Sequence, residues 1–137
     1  MRADCVFFEP IRVRYGEVDK QGIVYNGHYA TYTEVCFAAF MRGKGMPYNK
    51  MVEETGFEII NVKSSFEYFG SVYEEDLIDV GLRIVRVGEK SFTLGFEIYR
   101  SDEDRLLVYS EYVYAGYDSA NRKSRPLSDL MRALLEG

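Results

Sequence analysis

The sequence predicts an α+β domain in which one long helix precedes most of an antiparallel sheet. Three observations support this fold class. Apolar residues recur at helical spacing only after residue 25, the apolar period changes to two after Phe57, and a three-residue turn joins the two clearest strands. The 137 residues correspond to one domain, residues 1–137, which is large enough to bury its own core.

One strand is expected before the long helix. Phe7 to Tyr15 is apolar at most odd-numbered positions and should bury one face. The helix should begin near Asn26 or Gly27, with Asn26 as the N-cap, and should end at Gly43 or Gly45. Its apolar stripe follows alternating intervals of four and three residues: Tyr25, Tyr29, Tyr32, Cys36, Ala39 and Gly43.

A second, short helix should run from Pro47 to about Glu54, with Gly56 as its stop. The next segment, Glu58 to Phe69, alternates loosely between apolar and polar residues and therefore predicts a half-buried strand. The apolar residues expected on its buried side are Ile60, Val62, Phe66 and Tyr68.

The following two strands should form a hairpin. The first begins near Ile78, and its apolar residues change phase at Val85, which indicates a β-bulge or a strand that leaves the core. The second, Phe92 to Ile98, alternates most cleanly in the chain. Because the turn at Gly88–Lys90 joins them, an antiparallel pair is expected.

The last strand, Leu106 to Tyr117, is apolar or aromatic on both faces and should be central, and Leu127 to Leu135 predicts a short terminal helix. Several strands carry aromatic residues on both faces, whereas one helix covers only part of one face. A second copy of the chain is the simplest cover for the remainder.

Charge and composition exclude several classes of protein. The chain has 17 basic and 22 acidic residues with a net charge of −5, and no segregated basic segment that would bind nucleic acid. No apolar run approaches the roughly eighteen residues of a membrane helix, and no signal peptide is visible. Cys5 and Cys36 do not make a zinc motif. We expect a soluble cytoplasmic protein without metal, cofactor, nucleic acid or membrane.

The connection between the first strand and the long helix carries the candidate chemistry. Asp19 lies in this connection, and Gly22, an apolar pair and the predicted helix start follow it. Unpaired N–H groups in a first helical turn, together with the helix dipole, polarise a carbonyl held beside them. A carboxylate facing that carbonyl can attack it or activate water. The alternative is that Asp19 only accepts local hydrogen bonds in a turn.

The segment from Arg12 to Glu34 resembles the 4-hydroxybenzoyl-CoA thioesterase family of hotdog-fold acyl-CoA thioesterases, in the pattern R-x-x-Y-x-E-x-D-x-x-G-x-V-Y-N-x-x-Y-x-x-Y-x-E. Three later segments also resemble that family: Tyr68–Leu77 with its Asp76, Lys90-Ser91-Phe92, and Asp118–Pro126. The resemblance therefore spans nearly the whole chain.

The resemblance implies a hotdog fold, with a five-stranded antiparallel sheet wrapped around the long helix. It also implies a homodimer formed by edge-to-edge extension of the sheet, often doubled to a homotetramer, with active sites between two subunits. The implied reaction is hydrolysis of an acyl-CoA to a carboxylic acid and free CoA. Asp19 would act as nucleophile or general base, the backbone N–H of Asn26 would point at the thioester oxygen, and Gly22 and Tyr25 would contact substrate.

Binding of CoA requires a few cations, because CoA carries a diphosphate and a 3′-phosphate. Lys90, Arg122 and Lys123 resemble phosphate-contacting positions of the family. Each has the alternative of being an ordinary solvated charge. The sequence leaves open the acyl group, the choice between CoA and an acyl-carrier protein, and the choice between dimer and tetramer.

Three other residues near the turn have two interpretations each. Glu17, two residues before Asp19, is either part of a carboxylate pair or, as we favour, a solvated glutamate at a strand end. His28, the sole histidine, has neither nucleophile nor ligand partners in the pattern and is expected at a pocket rim or helix surface. Glu34 is expected to be structural, and Phe37 stands where the family often has arginine.

Two other functions remain compatible with the predicted fold. A non-catalytic hotdog module would bind acyl-CoA or acyl-carrier protein without hydrolysing it. A dehydratase-type hotdog enzyme usually needs a His–acid pair, and the single histidine makes this the weaker alternative. Thioester hydrolysis is the function expected.

Overall fold

The long helix lies against the inner face of a curled antiparallel sheet in a computed structural model that describes all 137 residues. The predicted α+β hotdog architecture is therefore confirmed. In chain order the elements are β1 (Phe7–Arg12), α1 (Gly27–Gly43), α2 (Tyr48–Thr55), β2 (Glu58–Tyr68), β3 (Leu77–Val87), β4 (Ser91–Arg100), β5 (Val108–Asp118), β6 (Lys123–Ser124) and α3 (Asp129–Glu136).

The sheet has the strand order β1-β3-β4-β5-β2, with every neighbouring pair antiparallel. The strands β1 and β2 are therefore its edges, and β5 is central as predicted. The short strand β6, which the sequence did not predict, pairs with the end of β5. This order places the start of β2, the start of β4 and the end of β5 at one end of the sheet, with the opposite strand termini at the other.

The core forms because the apolar stripe of α1 meets the alternating inner positions of β3, β4 and β5. Tyr29, Tyr32 and Cys36 are buried on the helix, and the Cys36 thiol donates a hydrogen bond to the carbonyl of Val80 at 3.3 Å. The fully buried inner residues of the sheet include Ile78, Leu82, Phe92, Leu94, Phe96 and Ile98. Burial of each such side chain contributes about 1.5–3 kcal/mol.

Both predicted bounds of α1 are confirmed, but β1 is shorter than predicted. It ends at Arg12, after which Tyr15–Glu17 forms a single 3-10 turn. Tyr15, expected on the buried face, is 80% exposed. Residues 14 to 17 leave the sheet because the backbone must turn here to reach the start of α1.

The prediction of one buried face for β2 is wrong in its first half. The register with β5 shifts between Asn61 and Lys63, where a β-bulge changes which face each side chain occupies. Ile60 and Val62 are consequently 43% and 62% exposed. Phe66, beyond the bulge, packs edge-on against the ring of Tyr112 on the inner face.

The remaining elements follow their sequence signals. The phase change in β3 is a bulge between Ile84 and Arg86, and β3 and β4 form the predicted antiparallel hairpin. Gly56 ends α2 with a φ of 73°. The helix α3 begins at Asp129 because the Ser128 hydroxyl accepts a hydrogen bond from the Met131 amide.

None of the helices has the length and apolar character needed to cross a membrane.

Gly81 of β3 lies where the N-terminal segment crosses the outer face of the sheet. A Cβ at this position would lie 2.6 Å from the Cys5 sulfur and 2.6 Å from the Phe8 ring. By contrast, a Cβ at Gly43, the last residue of α1, would have its nearest neighbour, the Phe7 ring, at 4.0 Å. The absence of a side chain at Gly81 therefore permits this close crossing.

We predict that Gly81→Ala lowers the free energy of unfolding by about 1–3 kcal/mol, because the added methyl group overpacks a closed contact. Gly43→Ala is the matched control and should be neutral or stabilising by up to about 1 kcal/mol, since alanine favours the helix. Urea denaturation of both variants measures the difference. Equal stability of the two variants would contradict this account of the crossing.

Candidate active site

The connection between β1 and α1 forms a small hairpin. Val18 pairs with Val24, the Asp19 amide donates to the Ile23 carbonyl at 2.8 Å, and the amide of Tyr25 donates to the carbonyl of Glu17 at 3.0 Å. We call residues 17–25 the Asp19 hairpin. Its tip contains Gly22, whose φ of +79° is rarely adopted by residues with a side chain.

The Asp19 hairpin is attached to the loop before β3. The Val24 amide donates to the Val72 carbonyl at 2.8 Å, and Ile23 forms an isolated bridge with Tyr73. Asp76 stabilises that loop, because its carboxylate accepts from the Tyr73 amide at 2.9 Å and from Arg100 Nε at 3.2 Å. The family-like segment around Asp76 thus supports the hairpin from outside.

Asp19 is exposed in the protomer, and only one of its carboxylate oxygens accepts a hydrogen bond. Oδ1 accepts a hydrogen bond from the Gln21 amide at 2.8 Å, whereas Oδ2 has no hydrogen-bond partner within the chain. The local bond that the turn interpretation expects is therefore present. The second oxygen nevertheless remains available to a substrate or a water molecule.

The start of α1 presents amide groups without acceptors. Asn26 has helical backbone angles, but its side chain makes no capping hydrogen bond. The N–H groups of Asn26 and Gly27 have no acceptor within the chain, and the His28 amide donates to the Tyr25 carbonyl at 2.9 Å. The Tyr25 ring lies so close to Gly27 that a Cβ there would be 2.9 Å from it. Such amides at a helix N-terminus favour an oxygen that carries negative charge.

Glu17 is neither paired with Asp19 nor solvated, so neither interpretation of its sequence position is correct. The residue is 5% exposed, so the favoured picture of a solvated glutamate is wrong. Its carboxylate accepts hydrogen bonds from Arg14 and from the Tyr32 hydroxyl, and none of its partners is Asp19. Burial alone would raise the pKa of Glu17, but the hydrogen bonds from Arg14 and Tyr32 outweigh it and hold the pKa below its ordinary value.

His28 and Glu34 lie on the surface of α1. The His28 ring packs edge-on against Tyr25 with their centroids 6.1 Å apart. Glu34 is exposed and makes no hydrogen bond or ion pair within the chain, which gives no support to the structural role expected of it. It borders an apolar groove of about 320 Å³ lined by Phe37, Ala38, Met41, Tyr48, Ile59 and Tyr114. The sequence did not reveal this groove because four different elements contribute to it.

The predicted phosphate-binding residues, Lys90, Arg122 and Lys123, lie at the end of the sheet that is opposite to the Asp19 hairpin. The carbonyl of Lys90 accepts from the Gly116 amide at 2.9 Å, and Lys123 pairs with Asp118 in β6 and β5. Arg122, beside Lys123, has a φ of 53°. The Asp19 hairpin instead adjoins the end of β1 and the start of β3. Because a strand of ten residues spans about 33 Å, one protomer does not bring the two sets together.

The described residues include no group of three or more His, Cys, Asp or Glu side chains arranged to hold a metal ion. Cys5 and Cys36 are both free thiols. The groups without partners that the hairpin and the helix start present are the Asp19 Oδ2 atom and the Asn26 and Gly27 amides.

Comparisons with known protein families and sequences find related proteins. The model of the thioesterase-like superfamily matches residues 13–135. A proposed esterase of Aquifex aeolicus is 32% identical over 91 residues, which cover 66% of this chain and 70% of that protein.

Solved structures show the same fold at lower sequence identity. A 1,4-dihydroxy-2-naphthoyl-CoA thioesterase from Synechocystis superposes with a TM-score of 0.87 at 18% identity and covers 94% of each chain. A Staphylococcus aureus protein in complex with CoA superposes with a TM-score of 0.85 at 15% identity, covering 95% of this chain and 81% of that one. The solved structures share the fold, and the family match across residues 13–135 establishes that the chain belongs to the thioesterase-like superfamily.

Proposed function

We propose that the protein is an acyl-CoA thioesterase, which hydrolyses the thioester to a carboxylic acid and free CoA. One observation carries this proposal: a single hairpin connects a carboxylate with a free oxygen, Asp19, to the unpaired amides at the start of α1. Two of the structural neighbours support CoA esters as substrates, since one is a CoA-ester thioesterase and another binds CoA.

In the proposed reaction the thioester carbonyl oxygen accepts a hydrogen bond from the Asn26 amide, beside that of Gly27. Negative charge grows on this oxygen as the carbonyl carbon is attacked, and fixed amide donors stabilise it without reorganisation. The contribution belongs to the backbone, so the Asn26 side chain is not itself required. The Gly22 turn and the Tyr25 ring border the same position.

Asp19 then acts in one of two ways. As a nucleophile, its carboxylate attacks the carbonyl carbon, the CoA thiolate leaves, and water hydrolyses the resulting anhydride. As a general base, it takes a proton from the water molecule that attacks the carbon. In both cases the thiolate leaves and gains a proton, and neither route uses a metal or redox cofactor.

The edges of the sheet support a dimer that forms through β2. This edge strand has eleven residues, and its exposed apolar side chains include Ile60 and Val62. The other edge, β1, has six residues and contains Pro10, which cannot donate a hydrogen bond to another strand. We therefore propose that two copies of β2 pair antiparallel about a twofold axis.

Pairing through β2 would also complete the site. In an antiparallel pair, the end of β2 in one copy lies beside the start of β2 in the other. The Asp19 hairpin of one copy would then adjoin Lys90, Arg122 and Lys123 of the second copy, which would hold the phosphates of CoA. A homodimer is the smallest assembly with complete sites, and a homotetramer of two such dimers would contain the same sites. We place the protein in the cytoplasm, where both free cysteines would remain reduced.

We predict that Asp19→Asn lowers kcat for acyl-CoA hydrolysis by at least about 10²-fold, because the amide can neither attack nor accept the proton. Asp102→Asn, in the exposed β4–β5 turn, is the control and should keep wild-type turnover. Thiol release measures both. Near-wild-type turnover by Asp19→Asn would remove Asp19 from its role. Tight acyl-CoA binding by the wild-type protein without thiol release would instead identify a binding module.

We predict that the triple variant Lys90→Ala/Arg122→Ala/Lys123→Ala raises KM for acyl-CoA while sparing short thioesters that lack phosphates. Equal losses on both substrates would reject these residues as phosphate contacts.

Mixed dimers test whether the site spans two copies. Refolding the triple variant together with Asp19→Asn should raise kcat/KM above that of either variant alone, because each mixed dimer contains one site with neither defect and one with both. Refolding each variant alone is the control. Absence of recovery in a confirmed mixed dimer would contradict a shared site.

A further inference from the structure

Glu17 is the buried charged group closest in sequence to Asp19, and the proposed reaction does not use it. Resting on the proposed function, we propose that Glu17 is a positioning residue, which fixes the Asp19 carboxylate relative to the free amides at the start of α1. Its contacts join the three parts of the site: the chain leaving β1, the Asp19 hairpin and the helix.

Glu17 is hydrogen-bonded both to the last residue of its own hairpin and to the helix. Its main-chain carbonyl accepts from the Tyr25 amide at 3.0 Å, just before α1 begins. Its side-chain Oε1 accepts from the hydroxyl of Tyr32, on the second turn of α1, at 2.8 Å. Tyr32 is 1% exposed, so its ring is held by the core. A movement of the hairpin relative to α1 would therefore break a buried hydrogen bond.

The remaining contacts of the Glu17 carboxylate are hydrogen bonds from Arg14. Oε1 accepts from the Arg14 amide at 2.9 Å, and Oε2 accepts from Nε at 2.9 Å and from Nη2 at 2.5 Å. The Arg14 side chain is itself 76% exposed and lies over the carboxylate. This two-point guanidinium contact adds directional restraint as well as charge pairing.

These contacts distinguish Glu17 from a catalytic acid. Both of its oxygens are occupied and buried, whereas Asp19 is exposed and has an oxygen without a partner. A substrate could reach Glu17 only after these hydrogen bonds had broken. The hydrogen bonds of the Glu17 side chain therefore hold it in place and leave no oxygen for a substrate.

The restraint matters because Glu17 and Asp19 are separated by one residue. Loss of an anchor at Glu17 shifts the Asp19 carboxylate relative to Asn26, and a misplacement of about 1 Å can cost about 10²-fold in rate. Substrate binding through the phosphates would be unaffected, since Lys90, Arg122 and Lys123 of the second copy would hold them. Loosening should therefore reduce kcat and leave KM unchanged.

We predict that Tyr32→Phe, which removes only the hydroxyl that binds Glu17, lowers kcat by about tenfold or more with KM within about twofold. The matched control is Tyr99→Phe, which deletes another buried Tyr–Glu hydrogen bond, to Glu97, on the outer face of the sheet. It should lower Tm by a similar amount and leave kcat unchanged. Equal kcat values in the two variants would overturn the proposal.

A second variant covers the case in which Tyr32→Phe fails to fold. Arg14→Met removes the guanidinium contacts from the exposed side and leaves the core intact. It should reduce kcat in the same way, with KM unchanged. A folded Arg14→Met protein with wild-type kcat would overturn the positioning role.

Amide hydrogen exchange separates this inference from the proposed function. The amides of Asp19, Gly22 and Tyr25 are hydrogen-bonded within the hairpin. Their exchange should accelerate by about tenfold in Tyr32→Phe but not in Tyr99→Phe. If the wild-type protein hydrolyses no acyl-CoA while this acceleration occurs, the proposed function fails and the anchoring stands. Unchanged exchange in Tyr32→Phe would overturn the anchoring itself.

The pH dependence of stability provides a further prediction. The pKa of Glu17 lies below its ordinary value of 4.5, so its hydrogen bonds stabilise the fold fully above that pH and are lost as the pH falls through the folded pKa. The Tm difference between wild type and Tyr32→Phe should therefore be largest near pH 7 and shrink as the pH falls below 4.5 and through the folded pKa. The control is Tyr112→Phe, which removes a hydroxyl that accepts a hydrogen bond from the uncharged Thr33 side chain. Its Tm difference from wild type should not change with pH. A constant difference for Tyr32→Phe as well would contradict the role of the ionised carboxylate.

Discussion

Hydrogen bonds hold the Asp19 hairpin against the start of α1, and the proposed chemistry depends on them. A carboxylate and an unpaired amide polarise and attack a carbonyl only when their separation is fixed. The Asp19 hairpin is attached at two points, through the Val24–Val72 hydrogen bond to the loop before β3 and through the buried contact of Glu17 with Tyr32. The apolar core beneath α1 supports this arrangement, because the helix that provides the amides also provides the buried stripe.

The same fold leaves the protomer with only part of what a CoA ester needs. The antiparallel sheet places the Asp19 hairpin at one end and Lys90, Arg122 and Lys123 at the other. Its two edges are also unequal, since Pro10 blunts β1 whereas β2 is long and exposes apolar side chains. One antiparallel contact through β2 would cover those side chains and bring the opposite ends of two copies together. Assembly and catalysis would then depend on the same edge.

Local patterns in the sequence predicted most of the fold, because α1, α2 and the β3–β4 hairpin are each specified by their own periodicity and turn residues. The missed features are tertiary. The early end of β1, the inverted first half of β2 and the burial of Glu17 depend on where a strand must turn, on a bulge between Asn61 and Lys63, and on Tyr32, fifteen residues away. The resemblance to a family identified Asp19 and Asn26 as candidates, but pattern alone could not show that Asp19 keeps a free oxygen or that Glu17 is occupied. The separation of the cations from Asp19 likewise requires the strand order.

The proposed site can be observed in a crystal structure of the protein with an acyl-CoA analogue in which CH₂ replaces the thioester sulfur. The ketone oxygen should accept a hydrogen bond from the Asn26 amide, with Asp19 Oδ2 beside the carbonyl carbon and the phosphates on Lys90, Arg122 and Lys123 of a second copy. A ketone bound away from the Asp19 hairpin, or phosphates held by the same copy that supplies Asp19, would contradict it.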